Sequence, residues 1–220
     1  MSRIRTFEIS NLRPLDQLRT GRLPRRLPQL FGGLILFGVA IALMVRGGLG
    51  LAPWDVLHSG LARWLPLSMG QLIVAVSFVV LLFWFPLGEH PGVGTLANAV
   101  VIGLVTDASL AVLPVVDDLF GRAGLMLAGV VLNGLSSAIY IGAQLGRGPR
   151  DGLMTGLARR TGWSLRLVRT GLEVTVLAIG LALGGAIGVG TLVFALAIGP
   201  LTQFFLPLVA VGSRTADVSD

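Results

Sequence analysis

The sequence predicts an all-α polytopic membrane protein: about six transmembrane helices in two inverted three-helix repeats, each repeat with a short interfacial or re-entrant helix. Three observations lead there. The 220 residues are 54% hydrophobic and only 13% charged, with mean hydropathy +0.84, and a soluble domain carries about twice that share of charge. The apolar residues fall into runs near the roughly 20 that cross a hydrocarbon core. The chain also repeats itself at a fixed offset, with an odd number of runs in each copy.

Composition removes several function classes. There is no cysteine, hence no disulfide, thiolate metal site or Cys nucleophile, and two histidines, His58 and His90, do not make a multi-His zinc site. An enzyme needs a nucleophile beside a positioned base, and only Asp55 with His58 approaches that pattern, so the chain reads as a non-enzyme without cofactors. The +6 charge and pI near 11.5 do not point to nucleic acid, because all 17 basic residues are arginines placed beside apolar segments. That placement belongs to membrane topology.

Along the chain, residues 1–29 form a basic N-terminal segment, 30–116 the first membrane repeat, 122–211 the second, and 212–220 a C-terminal tail. The first apolar run is followed by GGLGLAP and no small-residue cleavage site, so it reads as a retained span. The spans are expected at 30–47, 68–87, 93–115, 123–144, 164–185 and 189–211. Between them, 53–65 and 149–161 are too short and polar to cross; each opens with Pro followed within two residues by Asp, a helix-start signal. With six crossings and the N-terminus inside, fourteen arginines lie inside and only Arg46, Arg63 and Arg122 outside. This bias places both termini in the cytoplasm. Trp54, Trp64, Trp84 and Trp163 fall where an aromatic belt is expected.

Shifting the chain by 96 lays 30–108 over 126–204 without a gap and yields 27 identities in 79 pairs. A composition this rich in Leu, Gly, Val and Ala gives about a tenth by chance. Three spans per copy turn the second copy upside down, the plan of many secondary transporters, whose sites form at the repeat interface.

The matched residues supply the candidate site. Asp55, Ser59 and Arg63 recur every fourth residue and line one helix face with acid, hydroxyl and base; Asp151, Thr155 and Arg159 repeat it. Such a face suits a zwitterion or anion, and it equally fits a helix-start acid, a hydroxyl on backbone and an interfacial arginine. His58 is matched by Met154 and reads as a solvated loop histidine in preference to a proton sensor. GVGTL opens spans three and six, where Gly94, Thr95, Gly190 and Thr191 bring backbone amides to an anion or simply allow a turn and close helix packing. Within apolar runs, Glu173 has Arg169 one turn earlier as a local partner. Asp107 has none and is the stronger buried-acid candidate. Asn98, Asn133, Tyr140 and Gln144 line the same interior or join helices.

GLGLAPWDVLHSGLA, followed by PLGEHPGVGTLANA, resembles the YczE/YyaS/YitT-type family of bacterial integral membrane proteins across most of residues 30–205. The resemblance falls on Gly48, Gly50, Pro53, Trp54, Asp55 and Gly60, then on Pro86, Leu87, Gly88, Pro91, Gly92, Gly94, Thr95 and Asn98. It implies a cytoplasmic-membrane protein and says little of activity. Two functions are therefore expected to compete: transport or export of a small charged or amphipathic molecule through the repeat interface, or a scaffold or accessory role in another system. The expected partners are the lipid bilayer, a small-molecule substrate, and a second copy or a membrane partner protein.

Overall fold

The computed structural model describes residues 23–209. Arg3, Arg5, Arg13, Arg19, Arg22 and Arg214, with the tail and most of the basic segment expected around them, lie outside the described residues. The elements are α1 Leu23–Gly47, α2 Pro53–Leu61, α3 Met69–Leu82, α4 Trp84–Leu87, α5 Val93–Val112, α6 Leu119–Gly142, α7 Pro149–Thr161, α8 Leu165–Ala182 and α9 Val189–Val209. Among the described residues there is no strand.

Local chemistry explains the starts. Ser68 accepts the Gln71 amide and Gln71 answers with its side chain, a capping box that opens α3. Asp118 and Ser164 cap α6 and α8 in the same single-sided way. Pro53 and Pro149 open α2 and α7, where a missing amide costs nothing. Thr95 and Thr191 fold back to accept the Gly92 and Gly188 amides, at 3.1 and 3.3 Å, at the starts of α5 and α9.

Five segments are long and apolar enough to cross a membrane: α1, α3 continued through α4, α5, α6 and α9. The expected sixth, α8, carries Arg166, Arg169 and Glu173 in 18 residues and is not among them. α1 also begins earlier than the expected residue 30, running through Pro28.

The packing repeats at the 96-residue offset. Arg26 donates to the Ala143 and Gln144 carbonyls (2.8 and 2.5 Å), while Arg122, its equivalent, donates to Gly47 and Gly48 (both 2.9 Å). Each arginine thus satisfies orphan carbonyls at the far end of the other helix, so α1 and α6 run antiparallel. A side-chain carbon at Gly33 would meet the Tyr140 amide nitrogen at 2.8 Å, and one at Gly129 would meet the equivalent Met44. Gly38 lies against Val105 as Gly134 lies against Leu201. In lipid, where apolar burial does not drive helices together, such small-residue contacts let backbones approach and gain dispersion.

The short helices cross over: α2 packs on α8 of the other repeat, and α7 on α3 and α4. α3 packs closely on α5, but α8 has no comparable contact with α9.

Candidate functional site

The starts of α2 and α7 meet in the interior. Trp54 and Arg150 are equivalents in the repeat, and they touch: the Arg150 guanidinium carbon lies 5.0 Å from the centre of the Trp54 ring. Around it, Asp55 Oδ1 is 3.1 Å from His58 Nδ1 and 3.8 Å from Arg150. The Asp55 and His58 side chains are 3% and 1% exposed and that of Arg150 26%, so the cation stands at the edge of a buried acid.

His58 is therefore not the solvated loop residue expected of it. α2 turns inward because Leu51, Ala52, Trp54 and Val56 are apolar and buried beside it, carrying the ring with them. Burial lowers the His58 pKa below its ordinary value, against the upward effects of the Asp55 hydrogen bond and charge; Arg150 also acts downward. A neutral ring donating its Nδ1 proton to Asp55 fits this geometry. The tryptophan belt is also corrected: Trp64 and Trp163 are exposed, but Trp54 and Trp84 are buried. Trp84 lies on Gly152, whose missing side chain makes the room, and donates to the Pro149 carbonyl at 2.9 Å.

The second half of the cluster is different chemistry on the same plan. Tyr140 donates to Asp151 at 2.6 Å. Arg147 donates to Thr155 at 2.7 Å, and the Thr95 hydroxyl donates to the Arg147 carbonyl at 2.7 Å. Asn98 reaches the same helix start beside Gly148. Ser59 accepts the Ala186 amide at 2.9 Å, tying α2 to the turn before α9.

Gly94 and Gly190 do not offer their amides to a ligand. Each amide is used across the repeats, Gly94 donating to Leu145 at 2.9 Å and Gly190 to Leu49 at 2.7 Å. Arg63 and Arg159 also part company. Arg63 lies in the turn beyond the end of α2 against Gly184, whereas Arg159, still within α7, pairs with the buried Glu89 at 2.9 Å and donates to the Leu87 carbonyl at 2.7 Å.

Asp107 lies apart from this cluster. It accepts Ser68 Oγ at 2.5 Å and the Gly70 amide at 2.8 Å, so it closes the start of α3 and lines a mostly apolar cavity of about 380 Å³ with Leu67, Val74 and Leu104. The demand for a partner that made it a site candidate is met by a helix start 37 residues earlier, beyond any i±4 search. Asp107→Asn should lower stability by only about 0.3–1 kcal/mol, the scale of a helix-terminus charge, read from the melting midpoint of the purified protein; a loss several times larger would show a role beyond capping. Glu173 is paired with Arg169 at 2.9 Å, as expected.

Five helices long and apolar enough to cross a membrane define an integral membrane protein. Comparison with known proteins gives the family: residues 24–207 match the family of unknown function DUF6198, and the chain belongs to it. It is 40% identical to an uncharacterized protein of Haemophilus influenzae, over 82% of this chain and 83% of that one. It is 35% identical to the uncharacterized membrane protein YczE of Bacillus subtilis (86% and 91% covered) and 29% identical to YyaS of the same organism (80% and 90%). No solved structure matches.

Proposed function

We propose that this protein is a transporter or exporter of a small charged or amphipathic molecule, which passes through the junction of two inverted three-helix repeats without covalent chemistry. The observation carrying the reading is the buried Asp55–His58–Arg150 cluster on the contact between the equivalent residues Trp54 and Arg150. Charges held inside a membrane protein are costly and concentrate where ligands or ions pass. The reciprocal contacts and the antiparallel course of α1 and α6 support inversion. At 1.5 Å per residue, α8 is about 27 Å long, and its Arg169–Glu173 pair softens its charge. It therefore serves as the sixth crossing, with both termini on the cytoplasmic side of the inner membrane.

The test is a thermal-shift screen of the purified protein against metabolites and ions, followed by flux of each hit into proteoliposomes. Asp55→Asn should reduce flux by at least about 100-fold, equivalent to roughly 3 kcal/mol. Undiminished flux would remove the cluster from the pathway. No hit at all, with a stoichiometric partner co-purifying, would transfer the protein to the scaffold class.

A further inference from the structure

We propose that the Trp54 ring and the Asp55 carboxylate form a binding site for a small organic cation of the guanidinium or ammonium type, and that Arg150 occupies it as a tethered competitor. The inference rests on the reading of this junction as the substrate site and adds the chemical class of the substrate.

The structure holds a cation in place already. The Arg150 guanidinium lies over an indole face, the aromatic surface that attracts cations most strongly. Its distance to Asp55 Oδ1, 3.8 Å, is ion-pair reach and longer than a hydrogen bond. The hydrogen bond to that oxygen comes from His58, at 3.1 Å. Asp55 is thus hydrogen-bonded to a ring whose pKa burial lowers, while its cation stands beyond hydrogen-bond reach with its side chain one quarter exposed. A buried carboxylate whose counter-ion is partly exposed and beyond hydrogen-bond reach suits exchange of that cation.

Local helix physics does not explain why Arg150 is there. It sits in the first turn of α7, two residues after the Gly148 cap, where the helix dipole disfavours a positive charge. Its placement is explained by Trp54 and Asp55 across the junction. The helix ends themselves do not ask for an anion: Pro53 and Pro149 have no amide to donate, and each first turn already contains its own carboxylate, Asp55 or Asp151. Arg147 is engaged with Thr155, one turn further along α7. Swinging Arg150 outward leaves an indole face and a buried carboxylate, which a planar or quaternary cation matches in both charge and shape.

The experiment uses the full-length protein in detergent. Melting temperature and tryptophan fluorescence are measured against methylguanidinium, agmatine and choline, with sodium chloride at equal ionic strength and sodium acetate and phosphate as anionic counterparts. In Arg150→Gln the tether no longer competes, so the organic cations should bind at least about tenfold more tightly than to the wild type, because apparent affinity scales with the fraction of open site. That gain should disappear when Asp55→Asn is added, and the fluorescence response should disappear in Trp54→Phe. Equal cation affinity in wild type and Arg150→Gln would overturn the proposal, as would acetate or phosphate binding in place of the cations. If Arg150→Gln does not fold, Arg150→Lys serves, since an ammonium on a flexible stem competes less well than a stacked guanidinium; affinity unchanged from wild type would again overturn it. Flux separates the two readings. Cations that bind and do not cross vesicles would retire transport and leave the site standing, whereas flux of an anion without cation binding would do the reverse.

Discussion

Gly70→Ala should destabilise the protein by about 3 kcal/mol or more, the upper range for overpacking a rigid contact, whereas Gly171→Ala should leave it unchanged or stabilise it by up to about 1 kcal/mol. Both glycines lie in helices, α3 and α8, so intrinsic propensity alone predicts the same small gain for each. The surroundings separate them. A side-chain carbon at Gly70 would run into the Gly103 carbonyl oxygen and the Asp107 carboxylate, and a backbone carbonyl cannot rotate away as a side chain can; at Gly171 nothing lies within 4 Å. Moving α3 off α5 would also break the Ser68 and Gly70 hydrogen bonds to Asp107. The pair is compared by denaturation midpoint in one detergent. Equal stabilities would mean that α3 and α5 are not in contact as described.

Single cysteines at Ala62 and Thr161, in a chain with none of its own, should react with a membrane-impermeant reagent from opposite faces: Ala62 from outside intact cells, Thr161 only after the membrane is opened. Both positions are exposed, just past α2 and at the end of α7. The expectation follows from the antiparallel course of α1 and α6, the helices that lead into α2 and α7, and from the arginine asymmetry between the two connections. The effect is all or none. Reaction of both from one side would contradict inversion, whatever the stability or flux of the variants.

Much of this arrangement was readable in the residues, and the parts that were not have physical reasons. Helix starts at Pro53, Pro149, Val93 and Val189 followed from local chemistry, and the repeat anticipated that several contacts of one half recur in the other. It did not reveal how the halves touch, because a self-comparison carries no contacts. Arg26 and Arg122 show the margin: they match at the same 96-residue shift, but four residues before the compared stretch, and so the reciprocal helix caps were missed. Asp107 was read as partnerless because its partners come from the start of α3, a non-local contact that periodicity cannot show. His58 was misjudged for a related reason. A short polar segment between spans resembles a wet loop until the apolar residues beside it are seen to be buried. The Trp54–Arg150 contact was hidden in what looked like a loss of repeat identity.

That mismatch has a consequence for how such a molecule can be built. At a two-fold axis a residue meets its own copy, so two identical half-chains would place Trp against Trp or Arg against Arg. The first pairing holds no charge, and the second sets like charges face to face. Only halves that differ in sequence, here joined in one chain, carry different side chains at the two positions. Divergence of the two halves within one chain thus provides a stacked, unlike pair, Trp54 against Arg150, that a symmetric assembly of identical subunits cannot make.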